Sequence, residues 1–263
     1  MSPEGFGALL ELVGMGREAA LIGFVVLLRV GAAMALVPAF GEQVVPVRVK
    51  LATALAFTAI VAPAVAHRLD ALTEGPAGIA LALASETLAG LILGIGLRVL
   101  VMVLQMAGTM AAQSTSLAQF FGGAGVDPQP AIAQILVMGG LALAVTSGLH
   151  VRLAELFVLS YDLLPPGRFP GPGALAEWGT ARIARAFALA FSLAAPFVIG
   201  ALIYNMALGA INRAMPQLMV AFVGAPALTA GGLIMLLIVA PLAIPLWFAA
   251  LEGFFAAPFA GEP

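Results

Sequence analysis

The chain has 263 residues, of which 62% are hydrophobic and 9% are charged, and its formal net charge is −2. A soluble domain carries about 25% charged residues, so this chain must be surrounded by lipid or by an apolar assembly. The small net charge does not suggest a nucleic-acid partner. The absence of cysteine excludes disulfides and thiolate metal sites, and with only His67 and His150 present we expect no metal or cofactor.

Apolar runs separated by polar or proline-rich connections predict an all-helical, membrane-associated protein. The acidic residues among positions 1–18 are not typical of a cleavable signal peptide. A further amphipathic helix is predicted in LAELFVLSYDLLPPG, residues 153–167. The apolar runs lie at about 19–41, 51–66, 77–111, 131–148, 181–209 and 218–251.

Proline and glycine positions predict where helices end. The stretch PPGRFPGPG at 165–173 cannot form regular helix, so we predict a boundary there, between parts 1–173 and 174–263. Pro63 predicts a helix stop, and the small-residue pair Gly90 and Gly94 favours close approach of another helix. Kinks or breaks are predicted in the last two apolar runs at Pro196, Pro226, Pro241 and Pro245.

The basic residues give no positive-inside bias when the runs are counted as successive membrane crossings. Either the crossings are wrong, or the helices do not all cross a bilayer. Short runs, one overlong run and many prolines favour the second interpretation. Arg48, Lys50 and Arg213 fall on one side, and Arg17, Arg68, Arg168 and Arg182 on the other.

The stretch 107–130, AGTMAAQSTSLAQFFGGAGVDPQP, is a weakly apolar interruption between strongly apolar runs. Its glycine content disfavours a buried helix, so we predict a mobile non-helical segment that fills or closes a space. Its two phenylalanines serve equally well as core residues, and Met102, Met106 and Met110 are either flexible packing or a pliable seal. The predicted closure residues are Ser114, Thr115, Ser116, Leu117, Gln119, Phe120, Phe121, Gly122, Gly123 and Gly125.

Charged residues inside apolar runs form a second candidate set. A charge at membrane depth costs about 2.5–3.5 kcal/mol, so each should face protein or water. They line a polar space, pair between subunits, or pair within the chain. Glu155 is expected at a wet surface. The buried or inter-subunit candidates are Arg29, Glu86, Arg98 and Arg213. No spacing links a nucleophile to a base, so we expect no enzymatic activity.

Five motifs follow one another along the chain: LRVGAAMALVPAFGEQVVPVRVKLA at 28–52, AGTMAAQSTSLAQ through VDP at 107–128, SGLH at 147–150, SYDLLPPG at 160–167 and INRAMPQLMVAFVGAP at 211–226. In this order and over about 20–250 they resemble the FliR family of flagellar biosynthetic proteins, the R subunits of the bacterial flagellar type III export gate. The Asn-Arg-x-x-Pro-Gln core of the last motif is more similar to the flagellar branch than to the T subunit of the injectisome.

The resemblance implies an all-helical export-gate subunit whose N-terminal part resembles a P subunit and whose C-terminal hairpin resembles a Q subunit. It implies assembly with P- and Q-type subunits, contact with B- and A-type export components and with lipid, and passage of unfolded flagellar proteins. The expected location is the flagellar basal body in the bacterial inner membrane, with the gate raised out of the membrane plane. The loop matching 107–130 would plug the closed channel, although its glycine enrichment departs from the family pattern.

Two alternatives to a flagellar gate subunit remain open besides the injectisome subunit. Broken helices and intramembrane charges are also typical of a multi-pass secondary transporter. A membrane-embedded hydrolase would need a clustered nucleophile and base, which the sequence lacks. A transporter should be stable alone in detergent, whereas a gate subunit should be recovered mainly with its partners.

Overall fold

The computed structural model describes residues 3–42, 44–69, 76–115, 130–215 and 220–259. Helices make up nearly all of this described part, which confirms the all-helical prediction. A short 3-10 turn, Ala66–Arg68, extends the second helix. The helices are α1 (Pro3–Met34), α2 (Val47–Val65), α3 (Pro76–Thr115), α4 (Ala131–Thr146), α5 (Leu149–Leu163), α6 (Pro172–Ala214) and α7 (Val220–Ala256).

The ends of α1 differ from the predicted run at 19–41. α1 begins at Pro3, because the Leu, Glu and Ala residues that precede the apolar run are good helix formers. It ends at Met34, and the chain then turns through Ala39, whose φ of +66° is left-handed. Pro38 disfavours a helical conformation at the residue before it, so the apolar composition of 35–41 does not extend the helix.

The helices are interrupted at two places that contain glycine, one in the SGLH motif and one in the stretch 165–173, where a boundary was predicted. α4 ends at Thr146 and α5 begins at Leu149, and Gly148 between them has a φ of +88°. A residue with a side chain rarely adopts that backbone conformation, so the glycine of the SGLH motif suits the break between the two helices. Residues 164–171 lie outside the helices, and α6 begins at Pro172, in the first-turn position where proline is tolerated.

The breaks that were predicted as one outcome of the prolines inside α6 and α7 do not occur. α6 continues through Pro196 and α7 through its three prolines, and α2 continues two residues past Pro63 to Val65. Each proline removes one backbone N–H, but the remaining helical hydrogen bonds hold the segment, as is common in apolar helices. The prolines of α2 and α7 are also exposed.

The chain divides into two compact units. The first comprises Met1–Arg98, Gly148–Gly179 and Phe254–Pro263, and the second comprises Val99–Ser147 and Thr180–Gly253. The division predicted between 173 and 174 stays a prediction.

In the first unit α1 packs against α2, as the short connection between them predicts, and α3 packs against α1. A Cβ on Gly94 would lie 2.9 Å from the carbonyl oxygen of Ala33, and one on Gly90 would overlap the carbonyl of Arg29. The two glycines therefore let the backbones of α1 and α3 approach closely. Phe57 of α2 meets Phe157 of α5 edge to face, with ring centroids 5.8 Å apart.

Four helical stretches in the described part are long and apolar enough to cross a membrane, or five if the bent α4–α5 pair counts as one crossing. Within the most apolar windows, only 33% of α6 and 17% of α7 is buried. Most of their apolar surface is therefore open to lipid or to other subunits. The four stretches are Val47–Arg68, Gly78–Thr115, Pro172–Ala214 and Pro226–Ala256.

Candidate functional site

The prediction that residues 107–130 are non-helical is wrong for its first part, because α3 extends to Thr115 and residues 107–115 are helical. Ser114 donates its hydroxyl to the carbonyl of Ala111 at 2.8 Å, and Thr115 donates to the same carbonyl at 3.0 Å. Hydroxyls satisfied in this way are compatible with a helix, and the neighbouring alanines favour one. The other predicted closure residues lie outside the described residues: Ser116, Leu117, Gln119, Phe120, Phe121, Gly122, Gly123 and Gly125.

The C-terminal part of α3 packs against α7 in the second unit. The indole N–H of Trp247 donates to the carbonyl of Leu100 over 2.6 Å, and Trp247 is fully buried. Near the end of α3, Thr115 lies directly against Gly232. Leu100 and Thr115 are fifteen residues apart, as are Gly232 and Trp247, so the helices run antiparallel in register. This contact extends over about 22 Å of helix.

α4 packs against the same two helices through glycine contacts. Gly140 lies beneath the side chains of Leu104 from α3 and Trp247 from α7. At the beginning of α4, Ala133 lies against Gly108, where a Cβ would fall 2.6 Å from the Ala133 backbone nitrogen. We give the name three-helix frame to α4, α7 and the C-terminal part of α3. Residues 107–115 of the predicted closure segment belong to this frame, and α4 begins directly after residue 130.

The methionine stripe lies along a partly open side of α3. Met102 is exposed, whereas Met106 and Met110 are half-buried. Their exposure is compatible with contact to another molecule or segment, and their role as a pliable seal stays a prediction.

A buried charge network forms in the first unit around Arg29. Its Nε donates to one carboxylate oxygen of Glu86 at 2.8 Å, and Nη2 donates to the other at 2.7 Å. Nη1 donates to the Ser160 hydroxyl at 3.0 Å, and Nη2 also donates to the Leu164 carbonyl at 2.8 Å. The guanidinium carbon lies 3.7 Å from the centroid of the Tyr161 ring. The structure thus pairs Arg29 and Glu86 within the chain.

The network also holds the connection between α5 and α6. The Gly167 backbone N–H donates to the Ser85 hydroxyl at 3.0 Å, next to Glu86 on α3, and Gly167 has a φ of +71°. Ser160, Ser85 and the Leu164 carbonyl were not among the sequence candidates. The signal that pointed toward them was the SYDLLPPG motif, whose Ser160, Leu164 and Gly167 all take part.

The other charged candidates lie apart from this network. Arg98 is half-buried and pairs with Glu42 at 2.7 Å, in the connection between α1 and α2. Arg213 is exposed at the end of α6 and borders a cavity of about 650 Å³. Glu155 is exposed beside Arg152, at 3.4 Å, as expected for a wet surface.

The chain is similar to proteins of bacterial export. Residues 20–254 match the family described as bacterial export proteins, family 1. The flagellar biosynthetic protein FliR of Caulobacter vibrioides is 31% identical over 207 residues, which is 78% of this chain and 82% of that protein. FliR of Escherichia coli is 30% identical over 226 residues, covering 83% and 84%. FliR of Bacillus subtilis is 27% identical over 223 residues, covering 81% and 83%.

Proposed function

Because the chain belongs to the FliR group of the bacterial export proteins, family 1, we propose that it is a subunit of the bacterial flagellar type III export gate. The observation that carries this proposal is the similarity to FliR proteins, which extends over most of both chains. The apolar helices support a place in the bacterial inner membrane, within the flagellar basal body. The subunit acts without enzymatic chemistry, by forming part of a path for unfolded flagellar proteins.

The open apolar surfaces of α6 and α7 support assembly with other helical subunits. Ile203 and Met206 of α6, and Leu237 of α7, are each more than 60% exposed. Side chains of this kind stay out of water only if lipid or another protein covers them. We expect P- and Q-type subunits to cover much of this surface, with B- and A-type export components nearby.

The second part of the proposal is that the chain helps to seal the channel through residues 107–130. The three-helix frame supports this role, because it holds Thr115, the last residue of α3, and Ala133, in the first turn of α4. Residues 107–115 of the segment form the end of α3. Its hydroxyl, amide and aromatic side chains suit a path that is wet when open and blocked when closed.

Deletion of Phe120–Gly125 tests the sealing role. Ion conductance of the inner membrane is measured in cells that assemble the complete gate, and we expect the deletion to increase it. The control is the same deletion in cells that lack the P-type subunit, where no gate assembles and no increase should follow. Unchanged conductance with an assembled gate would remove the closure role from residues 107–130.

Purification tests the gate assignment against a secondary transporter. We expect the tagged chain to be recovered from detergent together with P- and Q-type subunits, and to be lost from membranes when they are absent. A chain that is stable and monodisperse alone, whatever the genetic background, would contradict the assignment to an assembled gate.

A further inference from the structure

We propose that Gly108 and Gly232 are positioning residues that set where α3 ends and where α4 begins. Both glycines lie inside helices, where glycine costs about 1 kcal/mol relative to alanine. Each lies at a close contact between two helices of the second unit: Gly108 lies against Ala133 of α4, and Gly232 lies against Thr115 of α3. Because both residues lack a Cβ, the helices can approach each other closely at these two positions.

The first contact holds the end of α3 against α7. A Cβ on Gly232 would lie 2.9 Å from Cγ2 of Thr115 and 3.0 Å from its Cβ. Thr115 cannot easily rotate away, because its hydroxyl donates to the carbonyls of Ala111 at 3.0 Å and Ala112 at 3.2 Å. A β-branched side chain also has few rotamers in a helix. An added methyl group must therefore displace the last turn of α3.

The second contact holds the start of α4 against α3. The atoms nearest to a Cβ on Gly108 are the Cα, the backbone nitrogen and the Cβ of Ala133, with the last two at 2.6 and 2.7 Å. Carbon atoms in ordinary contact are about 3.5–4.0 Å apart, so the helices would have to separate by about 1 Å. No rotamer change can avoid this, because the obstructing atoms belong largely to the backbone.

The chain supplies a matched control next to one of the two sites. Gly231 precedes Gly232 on α7, and a Cβ there would meet nothing within 4 Å. Gly231→Ala and Gly232→Ala therefore change helix propensity equally and differ in the contact with Thr115. Any difference between these variants reports the contact itself.

The positioning is measured directly with spin labels at the two ends of the joining segment. The chain has no cysteine, so Gln113→Cys and Ala131→Cys, both at exposed positions, provide unique attachment sites. Distances are recorded by electron–electron double resonance in the purified, assembled gate complex. We expect Gly108→Ala to shift the distance distribution by about 1 Å, Gly232→Ala to shift it less, and Gly231→Ala to leave it unchanged. Valine in place of alanine should enlarge the first two shifts.

Second-site variants distinguish the two contacts and show whether a shift comes from the proposed atoms. Thr115→Ala removes the Cγ2 that faces Gly232 but keeps the Cβ at 3.0 Å, so it should restore part of the wild-type distance in Gly232→Ala. Ala133→Gly should not restore Gly108→Ala, because Cα and the backbone nitrogen remain in place. If Gly108→Ala fails to assemble, Gly232→Ala and its rescue still decide the question.

The same variants are then tested for ion conductance, and this step rests on the proposed sealing function. We expect conductance to rise at least twofold in Gly232→Ala, and to fall back toward the wild-type level when Thr115→Ala is added. Equal label distances in Gly232→Ala and Gly231→Ala would overturn the positioning role. Shifted distances with unchanged conductance would support the positioning role and would count against the sealing function alone.

Discussion

Replacing Glu86 with glutamine should destabilise the protein by about 3–5 kcal/mol, the range for removing one partner of a buried ion pair. Arg29 and Glu86 are both completely buried, and the carboxylate accepts two of the arginine's hydrogen bonds, at 2.7 and 2.8 Å. Glutamine keeps one acceptor oxygen, but its amide group then faces an arginine N–H. The positive charge of Arg29 would remain buried, facing the Tyr161 ring and the neutral oxygens of Ser160, Leu164 and the glutamine, with no negative charge to balance it.

Removing both charges together should be less harmful than the single changes suggest. Arg29→Met in combination with Glu86→Leu leaves no buried charge, and such replacements are often nearly neutral. The Leu164 carbonyl still loses a donor, which costs about 1–3 kcal/mol. We therefore expect the double variant to be more stable than Glu86→Gln, and the cycle with the single variants Arg29→Met and Glu86→Leu to give a coupling energy of at least about 2 kcal/mol.

The measurement is unfolding of the purified complex in mixed detergent micelles with increasing dodecyl sulfate, followed by tryptophan fluorescence. The matched control is Glu155→Gln, which breaks an exposed pair and should cost at most about 1 kcal/mol. A destabilisation by Glu86→Gln no larger than that by Glu155→Gln would refute the predicted cost of leaving Arg29 unpaired. A double variant that is less stable than Glu86→Gln would refute it as well.

Two smaller changes test the packing of the helices by the same titration. Gly90→Ala should destabilise by about 1–3 kcal/mol, because its Cβ would overlap the backbone carbonyl of Arg29. Gly23→Ala, with nothing within 4 Å, should instead be neutral or stabilising, and equal effects would argue against a close approach at position 90. Trp247→Phe should cost about 1–3 kcal/mol through the lost bond to the Leu100 carbonyl and a small cavity, with the other tryptophan reporting unfolding. An unchanged midpoint of the unfolding transition in Trp247→Phe would show that this hydrogen bond adds nothing to the stability of the protein.

Some features are predictable from local sequence because their physical causes are local. The apolar composition requires an environment other than bulk water, and helices satisfy their backbone hydrogen bonds without a neighbouring strand. Gly148 and the stretch 165–171 interrupt helices through backbone conformations and missing donors that belong to those residues themselves. Family membership also follows from short motifs in order, and the match over residues 20–254 confirms it.

Other local rules predicted the structure incompletely. Proline predicted kinks or breaks within α7; the helix has no break, since the rest of its backbone hydrogen bonds remain intact, and the kinks stay a prediction. The polar residues up to Thr115 predicted a non-helical segment, yet Ser114 and Thr115 turn their hydroxyls to carbonyls of the preceding turn. In each case the local signal described one residue, whereas the outcome depended on the whole helix.

Only the tertiary structure decides which distant groups meet. The partner of Arg29 on α3 is 57 positions away, and its partner hydroxyl at Ser160 is 131 positions away. The sequence shows that charges inside apolar runs are costly to bury and that small residues permit close packing of helices. A pattern along one helix does not specify which face of another helix it contacts. Composition and chain order thus determined an apolar, all-helical export-family protein. The arrangement of its helices determined the charge network in one unit and, in the other, the glycine contacts that hold Thr115 and Ala133.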